Sequence, residues 1–186
     1  MLDLTLQVWG GLFYLLNKVF LAAAERKPKT RWRTYAWVVY LIGLPPWVWI
    51  FVLKHNWIAA SLEAAGAPSM FLGLAIALGY LGLSWLRWLD RGSLLFVILG
   101  ICYSLYDFGG LVVLNQYLEL AMAVGFLVGT YLIAKLRPAG YLWFLLMNAA
   151  NAALMAREHY PWLVAQQILS IIFVADAFYN ARKSTS

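Results

Sequence analysis

Apolar residues run through this chain in blocks of about 20 separated by short polar breaks, the length at which an α-helix crosses the hydrocarbon of a bilayer. The windows place spans at Thr5–Ala24, Ala36–Leu53, Trp57–Trp85, Ser93–Val112, Gln116–Ala134, Tyr141–Ala156 and Pro161–Ala181. The fourth and fifth are divided only by Asp107 to Gly110 and by Asn115–Gln116. Pro45–Pro46 lie inside the second span and Pro68 inside the third, where a missing N–H and a ring clash predict a kink or a break.

The charges give these spans a direction. Of the 14 Lys and Arg residues, Arg26, Lys27, Lys29, Arg31, Arg33, Arg87, Arg91, Lys135, Arg137, Arg182 and Lys183 share one side if the chain crosses seven times. Only Lys54 and Arg157 fall on the other, and Lys18 alone lies within a span. Because Lys and Arg are retained in the cytoplasm, the N-terminus is expected outside and the C-terminus inside. An even number of spans scrambles this count. The fold class is therefore all-α integral membrane, with seven transmembrane helices. The first segment has an acidic start, carries Asn17 and Lys18 and precedes the basic cluster, so it reads as a retained span rather than a cleaved signal.

Composition agrees: 64% of the 186 residues are hydrophobic and 12% charged, with a mean hydropathy of +0.75. Spans of this length use up the chain, leaving a single transmembrane domain over 1–186 and no room for a soluble catalytic or receptor domain. The net charge of +6 reflects topology and contact with anionic lipid headgroups, and speaks against nucleic acid as a partner. Most of the Trp residues, including Trp37, Trp57, Trp85, Trp88, Trp143 and Trp162, stand at span ends as an interfacial belt.

Cys102 is alone, which rules out an internal disulfide. His55 and His159 stand at span ends on the outer side, and no His-Glu-x-x-His, Cys-x-x-Cys, Gly-x-Ser-x-Gly, Walker or dinucleotide-binding pattern occurs. The sequence thus gives no support for a metal, a cofactor, ATP or an enzyme. Glu63 with Asp107 or His159 makes an acid–base pair only on paper, with neither nucleophile nor metal motif beside it.

An internal echo organises the spans. Tyr35-Ala-Trp37 and Tyr141-Leu-Trp143 each follow a basic loop and open a span. Asn56-Trp57 precedes Glu63 much as His159-Tyr160 precedes Gln166. Three spans before the fourth and three after it then share one orientation, so residues 5–85 and 116–181 form a parallel repeat joined by an inverting helix at 93–112. In that three-plus-one-plus-three plan a solute site lies between the triplets near mid-membrane, and helix breaks such as those at Pro45–Pro46 and Pro68 flank its path.

Polar side chains inside spans line such an interior more often than they face lipid. Glu63, Glu119, Asn148, Asn151, Gln166, Gln167 and Asp176 are the candidates, with Asn17 and Lys18 toward the inner end of the first span. Tyr141, Phe144, Asn148, Asn151 and Met155 recur at three- and four-residue steps on one helical face, an aromatic and amide surface suited to a flat heteroaromatic solute. The same amides would serve equally as bonds between helices. Gln166 and Gln167 point apart, leaving Gln166, the echo of Glu63, as the ligand candidate. Glu63 and Glu119 read either as negative charge for a cationic substrate or as neutral, hydrogen-bonded carboxyls.

From Gln116 to Lys183 the chain resembles the PnuC-type vitamin transporters, through Gln116-Tyr-Leu-Glu-Leu120, Gly140-Tyr-Leu-Trp-Phe-Leu-Leu-Met-Asn148, His159-Tyr160 and Tyr179-Asn-Ala-Arg-Lys183. The first half is similar only loosely. The resemblance implies a bacterial inner-membrane protein, related in architecture to the SWEET sugar carriers, that takes up nicotinamide riboside, thiamine or riboflavin by facilitated diffusion. A cytoplasmic kinase then traps the vitamin, and a homotrimer is known within the family. The family's two span-six tryptophans and asparagine fall on Tyr141, Phe144 and Asn148. The asparagine is kept, the tryptophans are not, and Trp143 stands one position out of step. A late asparagine of the last span falls, with a one-residue shift, on Asp176. Acids at Glu63 and Asp176 favour a cationic vitamin, nicotinamide riboside or thiamine, over neutral riboflavin. Competing readings are a membrane assembly or sensor protein whose polar residues only pack, and a SWEET-like sugar carrier.

On the carrier reading, Asn148→Ala and Glu63→Gln each weaken substrate binding, measured by calorimetry, while leaving the protein folded. A variant that fails to express would favour packing.

Overall fold

A computed structural model describes residues 2–27, 31–53, 57–80, 84–107, 114–157, 159 and 161–183. Lys29, Lys54, His55, Asn56, Val112 and Tyr160 lie outside that set, as do the side chains of Trp57 and Asp107. The described chain forms α1 (Leu2–Arg26), α2 (Trp32–Leu53), α3 (Trp57–Ala65), α4 (Ala67–Ala77), α5 (Ser84–Asp107), α6 (Leu114–Ala134), α7 (Ala139–Arg157) and α8 (Pro161–Lys183), with no strand among the described residues. By length and composition Ala60–Ala77, Leu114–Ala134, Ala139–Arg157 and Pro161–Lys183 are able to cross a membrane. The protein is thus all-α with a membrane-protein fold.

The boundaries follow from local chemistry. Pro68 cannot donate to the carbonyl four residues back, and the rod made by α3 and α4 breaks just before it, at Gly66, where the Gly66 amide reaches back three residues to Glu63 at 3.1 Å. By contrast, Pro45 and Pro46 sit inside α2, which continues through them without a break. The third span also ends earlier than Trp85. Gly79 takes a φ of +85°, and the amides of Gly79 and Tyr80 return to the carbonyls of Ile76 and Ala75 at 3.0 Å each. This pattern satisfies the last carbonyls and stops the helix at Ala77. Trp85 instead opens α5, which starts at Ser84 rather than Ser93 and draws Arg87, Asp90 and Arg91 into its first turns. At the end of α6 the same closure is made by Leu136 at a φ of 58°, with Arg137 bonded back to Leu132 at 2.9 Å.

The rods pack as a ring in the order α1, α2, α3/α4, α6, α7, α8 and back to α1, while α5 lies outside it against α3, α4 and α6. Among the described residues of α5 only Ser93, Val97 and Gly100 are buried; Leu94, Leu95, Phe96, Ile98 and Leu99 are exposed, an apolar surface suited to lipid. The buried stripe of α2, Trp37, Tyr40 and Leu44, has the same spacing as that of α7, Tyr141, Phe144 and Asn148. This register differs from the Tyr35/Tyr141 echo of the sequence, because Tyr35 is exposed and Tyr141 buried.

Small residues let these rods approach closely. At the α6–α7 seam a methyl group on Gly125 would stand 2.7 Å from the Trp143 carbonyl, and one on Gly140 2.7 Å from the Ile133 amide. Neither neighbour is a side chain able to move aside. Gly125→Ala and Gly140→Ala should therefore each lose about 1–3 kcal/mol of stability, read as a lowered unfolding temperature in detergent. Gly92→Ala, with open space around it, should not.

Candidate functional site

Tyr14 and Lys18 lie four residues apart on α1 and so share a face, which turns into the ring to meet Tyr40 of α2, Phe144 of α7 and Glu63 of α3. Tyr40 is fully buried and touches rings on every side: Tyr14 at 5.0 Å edge-on, Trp37 stacked at 6.2 Å, Phe126 at 6.3 Å and Phe144 at 6.4 Å, both edge-on. The Lys18 ammonium stands 4.6 Å from the centre of the Tyr40 ring, 4.7 Å from Phe144 and 5.4 Å from Tyr14. Cations over desolvated ring faces gain about 0.5–2 kcal/mol per ring. The Tyr14 hydroxyl donates to Glu63 at 2.6 Å, a short hydrogen bond. Tyr14 thus stands between ammonium and carboxyl.

Other buried polar atoms of the described core also lack a hydrogen-bond partner: Asn17 Oδ1, Tyr40 Oη, Ser69 Oγ and Thr130 Oγ1. The Thr130 hydroxyl lies beside that of Tyr40 without closing a bond of ordinary geometry. Asn17 uses its amide N–H on the Ala36 carbonyl of α2 at 3.0 Å.

The sequence candidates separate into groups. Phe144 and Asn148 face the centre, and Glu63 reaches it through Tyr14. The Asn148 amide donates to the Phe144 carbonyl of its own helix at 2.6 Å. Tyr141 is buried but sits at the basic end, donating to Glu25 at 2.6 Å, and Glu25 also takes Arg33 at 2.6 Å. Asp176 belongs to that end too, held by Arg26 through two contacts of 2.7 and 2.9 Å. Gln166 bridges α8 to the Gly11 carbonyl of α1 at 3.0 Å. Trp143 and Asn151 are half-buried and Glu119 is exposed. The nine candidates therefore do not converge on one site.

The basic residues do gather at one end of the bundle. Arg26 and Arg33 pair there with Asp176 and Glu25, and Lys135 with Asp90 at 2.7 Å. Its hydrogen bond to Asp90 holds the Lys135 ammonium above the ordinary range. At the far end Arg157 donates to Asn115 at 2.9 Å.

Of the central residues, the sequence reading named Lys18 only as a polar group toward the inner end of the first span and passed over Tyr14 and Tyr40. The signal for Lys18 was present, as the one basic residue outside the loops. Tyr14 and Tyr40 carried none, being aromatic residues in apolar spans. No family model, curated protein or solved structure matches this chain.

Tyr14→Phe leaves Glu63 buried without its donor and should cost about 1–3 kcal/mol of stability in detergent. With Glu63→Leu added, the loss should fall short of the sum of the two single losses, since both remove one contact; additive losses would show that the contact contributes nothing.

Proposed function

We propose that this protein is a facilitative carrier that takes up a cationic, water-soluble vitamin, nicotinamide riboside or thiamine, by alternating access at a mid-membrane site. The observation that carries the reading is the enclosed core of rings and polar groups at Tyr14, Lys18, Tyr40, Glu63, Thr130 and Phe144. Hydrocarbon-buried polar groups are expensive, and a bundle that only anchors has no need to collect them at its centre.

The order of the rods supports the parallel repeat. In the ring α1 adjoins α8 as α6 adjoins α4, with α5 as the added splint. The buried positions agree: Gly11, Asn17, Lys18, Leu21 and Ala22 of α1 have the same spacing as Ala123, Gly129, Thr130, Ile133 and Ala134 of α6. With the N-terminus outside, the basic end lies in the cytoplasm, and the pairs Arg26–Asp176 and Glu25–Arg33 with Tyr141 close the site on that side. Exit then requires those pairs to part, after which a cytoplasmic kinase traps the product. The bacterial inner membrane and a homotrimer belong to the same proposal.

A packing role has one specific observation in its favour, since Asn148 and Gln166 both use amide donors on backbone carbonyls. Calorimetric titration of the purified protein with nicotinamide riboside, thiamine and riboflavin separates the readings. Micromolar binding of one cationic vitamin, and uptake into vesicles that only equilibrates, is the expected result. No binding of any would set the carrier reading aside in favour of packing.

A further inference from the structure

Lys18 fills its position badly. A primary ammonium carries three N–H donors, yet the Lys18 nitrogen is buried with no hydrogen-bond partner. It finds only the rings of Tyr14, Tyr40 and Phe144. Glu63 is near enough to act on it through space, but no ion pair joins them among the described residues. The ring faces and the nearby carboxyl attract positive charge, while the N–H groups of Lys18 go unused. A quaternary or N-alkylated aromatic cation has the charge without the donors, and such cations are what aromatic cages hold.

We infer that Tyr14, Tyr40, Phe144 and Glu63 form a binding site for a cationic centre that bears no N–H, a quaternary or N-alkylated aromatic nitrogen, and that Lys18 is a tethered placeholder within it. One positive charge replaces another beside the same carboxyl, so the core keeps its balance as the ligand enters and the flexible Lys18 side chain withdraws. The unpartnered hydroxyls of Tyr40 and Thr130 border this space and supply polar contacts for the remainder of a ligand. As a statement about the transported solute this rests on the carrier reading; as a statement about the cage it does not.

The test uses the full chain in detergent and no vitamin. Lys18→Ala empties the cage, and tetramethylammonium should then raise the unfolding temperature with a half-saturating concentration about ten-fold below that for the wild type. tert-Butanol, similar in size and neutral, should not. Replacing Tyr40 or Phe144 by Leu in the Lys18→Ala background should abolish the response. If Lys18→Ala does not survive purification, the yield of folded protein with and without tetramethylammonium carries the same reading. Equal effects of the cation and the alcohol, or no effect of the cation on either stability or yield, would overturn the proposal. A vitamin titration that fails while tetramethylammonium still binds would overturn the carrier reading instead.

Discussion

Tyr40 sets the width of the bundle. The backbones of α2 and α7 stay apart across the ring, and the Tyr40 and Phe144 rings meet edge-on to close the gap. The same phenol ring carries the Lys18 ammonium on one side and leans on Phe126 of α6 and Tyr14 of α1 on others. Four helices are thereby spaced by one side chain. A smaller residue would let them collapse or leave a void, and either change would displace Lys18 from its rings.

Polar atoms accumulate around that ring because the periphery cannot take them. Outward positions are largely apolar, most plainly on α5, and Asn17, Lys18, Ser69, Thr130 and Asn148 are buried instead. At the basic end the rule relaxes, since water and headgroups compete for the same groups. Arg26 is largely exposed even while it grips Asp176, and that pair contributes orientation more than stability.

The all-helical character, the gathering of basic residues at one end and the inward placing of Tyr141, Phe144 and Asn148 on α7 were legible in the chain, because each rests on a repeating pattern of apolar or charged positions. The stop at Ala77 was not, since Leu78 to Leu83 reads as continuous apolar sequence and only Gly79 in a left-handed turn ends the helix. Site membership was harder still. Whether an acid such as Asp176 or Glu119 meets the centre depends on its depth along the helix and on which neighbour packs there, neither of which hydropathy records. Asp176 sits one bundle end away from Glu63, beside an arginine supplied by a distant stretch of chain.

The two seams that join α1 through α4 to α6 through α8 are built unequally. Along one, α4 meets α6 with α5 laid across both as a splint, and α5 is also the covalent link between the two groups. Along the other, α1 meets α8 with no third helix, closed in part by the Gln166–Gly11 contact and the Arg26–Asp176 pair. One edge is thus braced by a third helix and the other held by two helices alone, which gives this otherwise even ring a front and a back.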